Sequence, residues 1–327
     1  MPEPTNRRGL LRALLQTAGE ALGEFTDAVN AGTAPFEQAA AEQARAEAAD
    51  EPPPELTQMA PVERSLTVAD LLDLAAEEGL AGRADALRAL ARPSTLLVPS
   101  LGVGPDRPWI GRPPETARAD GTLAAVAEID LADPALAGGE LAGAGRLVVM
   151  IPVPRGARIP PCSRAHVRVE PETLAEGAPG RSVHLSTELT LPRVWAAPVQ
   201  ALELDDAEHA AYVRLRQRVA ELQGVPVEDG DADGVARHHL LGYPTETSGT
   251  MPLACELASR GLHPDTPPTD VPEDAAAASE RWRLLLQITQ DERSGVPLGP
   301  GVARLFFWIA QDRLERQDFS EVWAIAR

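Results

Sequence analysis

The chain has 327 residues, 44% of them apolar, enough to bury one large core or two ordinary ones. Its 30 basic and 49 acidic residues leave a formal charge of −19, which repels phosphate backbones and anionic lipid, excludes general nucleic-acid affinity and favours a neutral or basic partner. Every basic residue is arginine, so a Schiff-base lysine, a P-loop lysine and a lysine general base are excluded too.

The N-terminus, Thr5-Asn6-Arg7-Arg8-Gly9-Leu10-Leu11, begins like a twin-arginine export signal. Arg12 interrupts the apolar run, and Glu20, Glu24 and Asp27 stand where apolar and small residues are required. Leu10, Leu11, Leu14, Leu15, Ala18, Leu22 and Phe25 instead recur at helical spacing and predict an amphipathic helix suited to docking on a protein surface. Gly32 to Val62 is Ala/Glu/Gln-rich and ends in Pro52-Pro53-Pro54, the composition of a frayed helix passing into a stiff linker. Residues 1–60 are therefore expected to be an extension separable from the fold.

Residues 61–93 read as a helical hairpin. Thr67 caps a helix that carries Leu71, Leu72, Leu74 and Ala75 inward and ends at Gly79, and a second helix from Arg83 to Ala91 closes at Pro93. The main domain, 94–327, opens at Ser94-Thr95-Leu96-Leu97-Val98-Pro99. Gly102-Val103-Gly104 lacks the third glycine of a dinucleotide site and is expected to be a turn. Leu123 to Ile129, Arg146 to Ile151, Ala165 to Val169 and Val183 to Leu189 are predicted strands, the last two with one wet face. Asp205 to Leu222 predicts a helix with Tyr212, Leu215, Val219 and Leu222 on one stripe, stopped by Gly224 and Pro226. Val227 to Gly234 and Pro264 to Asp274 are expected to be exposed loops.

Trp282 to Ile288 and Leu305 to Ile309 differ from the earlier strands, being apolar on both alternating sets and so requiring cover on both faces. A short helix at Asp312 to Gln317 leads to a last strand, Val322 to Ala326. Strands, one helix, then strands again predict an α+β fold: a largely antiparallel or mixed β-sheet domain with few helices, preceded by a helical N-terminal extension. No run approaches the ~20 apolar residues of a membrane span, so a cytoplasmic protein is expected.

No strong catalytic constellation is present. GxSxG, HExxH and paired CxxC are all missing, and Cys162 and Cys255 offer neither a metal quartet nor a disulfide framework; no metal or cofactor is expected, and both thiols are read as reduced, small apolar residues. His238 and His239 would point to opposite faces of an extended chain, which disfavours joint chelation. Tyr243, on a forced turn between Gly242 and Pro244, could line a pocket or plug one.

The blocks His239-Leu240-Leu241-Gly242-Tyr243-Pro244, Cys255-Glu256-Leu257, Trp282 to Ile288, Leu305 to Ile309 and Asp318-Phe319-Ser320-Glu321-Val322-Trp323, in this order, resemble the YwqG-like family, the domain of unknown function DUF1963. The resemblance runs from about Ser94 to Arg327. The family tends to place a Gln and an Asp after Gly-Tyr-Pro, where this chain has Thr245 to Thr250, and a Trp-Gly-Asp turn between the aromatic strands, where it has Leu298-Gly299-Pro300. Its family fold is thereby implied more firmly than any inherited activity. What the resemblance implies functionally is an antidote or binding partner accompanying bacterial toxin systems.

The leading expectation is a non-enzymatic, cytosolic protein-binding module of adaptor or immunity type whose partner is basic, with Phe306 and Trp308 as candidate binding residues. A hydrolase or lyase using His239, Tyr243 and Glu246 as acid/base groups is the rival. A passenger domain localised by the N-terminal helix is the third reading.

Overall fold

The computed structural model describes residues 65–100, 108–111, 123–152, 161–171, 181–225, 237–245, 250–290, 298 and 302–327. The expected N-terminal helix and linker, the Gly102–Gly104 turn, the Val227–Gly234 loop and Glu246 lie outside the described residues.

Ten strands close into one barrel, not the open α+β sheet that the chain order suggested. In sequence order they are β1 (Arg92–Pro99), β2 (Trp109–Ile110), β3 (Leu123–Asp130), β4 (Arg146–Pro152), β5 (Cys162–Glu170), β6 (Arg181–Thr190), β7 (His239–Leu241), β8 (Trp282–Thr289), β9 (Arg304–Ala310) and β10 (Val322–Ala326). Around the barrel they run β1-β6-β2-β3-β4-β5-β10-β9-β8-β7, and every pairing is antiparallel. Closure depends on β1, which pairs β6 along its whole length and takes β7 on its other edge, Leu96 opposite His239. A strand pattern shows which side chains alternate, but not whether the first and last sheet edges meet. Few helices were expected as well; seven α-helices occur among the described residues.

The barrel interior is a packed apolar core. Alternate residues Leu97, Ile110, Ile129, Leu147, Val149, Ile151, Ala165, Val183, Leu185, Leu286, Ile288, Leu305, Phe307, Ile309, Val322 and Ala324 meet there, all buried, and Leu136, Leu141, Leu314 and Phe319 join them from the connections. Side chains of this size pack against one another across the interior of a small barrel.

Two helical layers cover the outer wall. The first consists of α1 (Val68–Glu77), α2 (Ala84–Leu90), α3 (Ala197–Gln200) and α4 (Asp206–Gln223), packed through Leu71, Leu87, Tyr212, Leu215 and Val219 with Leu189 and Leu191. Thr67 forms a capping box with Asp70 at the start of α1, and Gly79, at φ +87°, ends it in a Schellman arrangement, with Leu80 N–H on the Ala75 carbonyl at 2.7 Å and Gly79 N–H on that of Ala76. Asp205 caps α4 with Glu208. The expected stripe on α4 needs one change: Leu222 is 42% exposed, and Gln223 is the buried residue instead. Tyr212, Leu215, Val219 and Gln223 advance by three, four and four residues and share a face, whereas Leu222 is rotated off it.

The second layer, α5 (Met251–Ser259) with α6 (Ala275–Ala278), was not foreseen. Met251, Ala254 and Cys255 on α5 pack against Trp282, Leu284, Phe306, Trp308 and Ile325 on the outer faces of β8, β9 and β10. Both alternating sets of β9 are thus hidden, Phe307 inside the barrel and Phe306 with Trp308 beneath α5. α7 (Gln311–Glu315) replaces the expected Asp312–Gln317 helix, and β2 and β7 are too short to announce themselves in sequence.

Cys255 is buried and Cys162 half-buried, both as free thiols, and burial pushes the Cys162 thiol up to about 11. With little thiolate at Cys162 and Cys255 shut off from solvent, neither cysteine of the native protein should react appreciably with a water-soluble disulfide reagent at pH 7.5, while unfolding in denaturant should release both within seconds. Rapid native labelling of either residue would contradict this packing.

Candidate functional site

Polar side chains on the outer wall concentrate where β6, β1, β7 and β8 run side by side under α4. Registry places Glu188 opposite Ser94, Ser94 opposite Leu241, Leu96 opposite His239 and His239 opposite Gln287. Ser94, Glu188, His239 and Gln287 are each no more than 2% exposed. α4 roofs the cluster through Gln223, whose amide accepts from Leu189 N–H at 2.7 Å and donates to the Leu189 carbonyl at 3.0 Å. β2 pairs only Arg181 and Ser182 of β6, so Gln223 supplies main-chain partners where no strand does.

His239 is fully buried, and its hydrogen bonds settle its tautomer. Nδ1 lies 3.0 Å from the Leu241 carbonyl and 3.3 Å from Ser94 Oγ. A carbonyl oxygen only accepts, so Nδ1 carries the proton. Ser94 Oγ in turn donates to the Leu240 carbonyl at 3.1 Å. The arrangement is therefore the reverse of a nucleophilic Ser–His pair, in which the imidazole must accept the hydroxyl proton. Burial, helped by the neighbouring Arg237 charge and opposed by that of Glu188, pulls the imidazole down to about 4. At neutral pH the ring is neutral.

A sign follows for acid stability. The His239 pKa falls from 6.5 in the open chain to about 4 in the folded one, so between these values the unfolded state binds the extra proton. Stability should be full above about pH 6.5 and decline toward pH 4 by up to ~1.4 kcal/mol per pH unit. Urea midpoints measured from pH 7 to 4.5 would show the slope, and His239→Gln should flatten it. An unchanged slope in that variant would assign the acid sensitivity to other groups.

Tyr243 sits at the turn after β7. Its hydroxyl donates to the Leu90 carbonyl at 2.8 Å, and the Arg92 guanidinium lies 4.3 Å from its ring centroid. Burial raises the phenol above its ordinary value, although the Arg92 charge works the other way. Gly242 beside it has φ +70°, and a Cβ there would lie 2.7 Å from that of Ser94, so glycine is required by both the backbone and the close approach. Of the three acid/base candidates, His239 and Tyr243 are held near one turn but engage different main-chain carbonyls; Glu246 is outside the described residues. Phe306 and Trp308, the candidate binding residues, are 1% and 3% exposed.

Sequence reasoning missed the charged part of the cluster. A half-open cleft of about 70 Å³, lined in part by Glu188, Arg193, Arg216, Arg237, Tyr243 and Thr245, lies between β6, α4 and the turn after β7. Arg237 Nη2 donates to Glu188 Oε1 at 2.5 Å, while Arg237 Nε and Glu188 Oε2, both buried, have no partner. Each such group left unsatisfied costs about 1–3 kcal/mol. Arg193 Nη2 donates to the Thr245 carbonyl at 3.2 Å, and Gln287 donates to Thr245 Oγ1 at 2.6 Å. The signal available in sequence was a polar residue inside an apolar strand, Gln287 after Leu284-Leu285-Leu286 and Glu188 before Leu189. No grouping of three or more His, Cys, Asp or Glu suited to a metal ion occurs among the described residues.

Comparison with curated proteins gives no match. Residues 171–326 match a family model described as a domain of unknown function, DUF1963. That span contains β6 to β10, α3 to α7 and every residue named for the cleft, while β1 to β5, needed to close the barrel, precede it. The match supports assigning residues 171–326 to the DUF1963 family.

Proposed function

We propose that this protein is a non-enzymatic binding module, of adaptor or immunity type, acting in the cytoplasm on a basic protein partner. One observation carries the reading: the groups best suited to acid/base chemistry are committed to main-chain carbonyls, His239 to Leu241 and Tyr243 to Leu90. The filled barrel interior and the −19 charge support it, since an acidic surface steers a basic partner and excludes acidic ones. No helix among the described residues is long and apolar enough to cross a membrane.

Chemical cross-linking in the source cell, followed by reconstitution of the complex from purified components, tests this directly. The expected result is a stoichiometric complex whose affinity falls by roughly tenfold or more when salt rises well above physiological strength. Turnover of a generic ester, amide or phosphate substrate that disappears in a folded His239→Gln variant would overturn the proposal in favour of a hydrolase.

The extension belongs to the same proposal. Deleting residues 1–60 should leave the melting temperature of the remaining chain nearly unchanged. A loss of several degrees would mean that its leucines, at roughly 1.5–3 kcal/mol each when buried, pack against the main fold.

A further inference from the structure

We infer that the barrel end at which β1 begins binds a small carboxylate through Arg92, with Arg283 supplying a second positive charge. The inference stands apart from the protein-binding proposal, which uses neither arginine.

Antiparallel pairing decides which segments meet at this end. β1 starts there at Arg92, β7 leaves through the turn that carries Tyr243, β8 starts at Trp282 and β9 ends at Ala310. Gln311 follows β9, and the β3–β4 connection brings Glu140 beside it, with Gln311 Nε2 3.5 Å from Glu140 Oε1. The Arg92 guanidinium lies over the Tyr243 ring, and the Arg283 charge acts on both residues. The mouths of β-barrels are common places for small-ligand sites.

Arg92 has donors to spare. No carbonyl or side chain among the described residues accepts from its guanidinium, and the Tyr243 ring that attracts its charge is at most a weak acceptor. The residue is only half-buried, and none of its nitrogens is shut off from solvent. Its position is nevertheless held: the Tyr243 hydroxyl donates to the Leu90 carbonyl at 2.8 Å, and Thr190 Oγ1 donates to the Arg92 carbonyl at 2.9 Å. A cation placed in advance, with its donors accessible, binds an anion at low entropic cost. Burial and the like charge of Arg283 both pull the Arg92 pKa below its ordinary value, against the influence of Tyr243 and Glu140; an anion would relieve both strains.

The surrounding charges narrow the ligand class. Arg283 Nη1 donates to Gln311 Oε1 at 2.5 Å, and Nη2 lies 3.8 Å from Glu140 Oε2, so Arg283 adds charge and not a second open fork. One free guanidinium fork matches the two oxygens of a carboxylate through parallel hydrogen bonds. The fixed charges acting on Arg92 are those of Arg283 and Glu140. Together the three groups leave one net positive charge, which suits a monoanion, whereas a phosphate dianion would set its further charge against Glu140.

Ligand-observed NMR titration of the full chain, above the second ionisation of phosphate and at matched low ionic strength, tests the assignment. Propionate, N-acetyl-alanyl-alanine, the C-terminal amide of that dipeptide and inorganic phosphate would be compared. Either acid should bind with an affinity on the order of millimolar, and the tighter of the two tells a free small acid from a peptide terminus. The amide should not bind, and phosphate should bind at least ~tenfold more weakly than the better acid. Arg92→Gln removes a half-buried side chain that anchors nothing else by hydrogen bonds, so the variant should fold, and it should weaken the carboxylate by roughly tenfold or more. Glu140→Gln, on a partly exposed connection, removes the opposing charge and should tighten binding by about threefold. Failure of the native chain to bind either acid, binding of the amide, equal affinity for phosphate, unchanged affinity in Arg92→Gln or no gain in Glu140→Gln would overturn the inference.

Discussion

Phe307→Ala should lower the unfolding free energy by about 3–5 kcal/mol, a large share of the roughly 5–15 kcal/mol that a native domain commands. Phe307 is fully buried inside the barrel, with Ala324 of β10 and Leu286 of β8 as its cross-strand neighbours. Truncation removes the transfer energy of the ring and leaves a cavity. The wall is a closed ring of hydrogen-bonded strands, so it cannot move inward at one point without straining its neighbours. The cost should therefore fall toward the upper end of the range. Phe306→Ala, beneath the separate helix α5, should cost less because that helix can settle toward the gap. Urea unfolding of both variants, read with an unchanged m-value, checks the order. A stable Phe307→Ala protein that had lost association with a partner would make this strand an interface instead.

The second large effect is expected at Glu256, where alanine should cost about 3 kcal/mol. This α5 carboxylate is 2% exposed and accepts from Arg260 Nε at 2.7 Å, Arg281 Nε at 3.0 Å and the Trp282 indole N–H at 2.9 Å. Arg260 also reaches Asp274, just before α6. One carboxylate thus ties α5 to the turn before α6 and to the start of β8. Arg260 and Arg281 keep access to water, so their charges can be resolvated when Glu256 is lost; the cost lies mainly in the orphaned indole and the freed helix. Burial pushes the Glu256 carboxyl up, but its bonds from Trp282 and Arg260 and the nearby arginine charges outweigh that and leave it below its ordinary value. Its stabilisation is then present above the open-chain carboxylate range and is lost as pH falls through the lower folded value. That window lies below the one expected for His239, so acid titrations of the Glu256→Gln and His239→Gln proteins should lose different parts of the curve.

Local signals in the chain carried a good deal of this fold. Thr67, Gly79, Asp205 and Gly224 marked helix ends because capping and left-handed turns depend on neighbours within a few residues. The apolar alternation of Leu305 to Ile309 demanded cover on both sides, and the structure supplies it from the barrel interior and from α5. Missed elements were those whose local signal is weak. β7 is three residues long, and α5 mixes Pro252, Cys255 and a buried Glu256 in a run with no clear polar face.

The charged cluster was beyond local reading for a different reason. Glu188 and Arg237 are 49 positions apart, the first on β6 and the second just before β7, and those two strands are brought together by β1, which comes far earlier in the chain than either.

What the sequence determined by itself is most of the longer strands and helices, their apolar alternation, the net acidity and the absence of lysine chemistry, because each depends on residue type and short spacing. Tertiary structure alone decided that β1 joins β6 to β7 and closes the sheet, that the His239 proton faces a carbonyl and not a substrate, and that Glu188, Arg193, Arg216 and Arg237 border one cleft. Those outcomes arise from pairings between distant segments, whose entropy cost is repaid only when the whole barrel has formed.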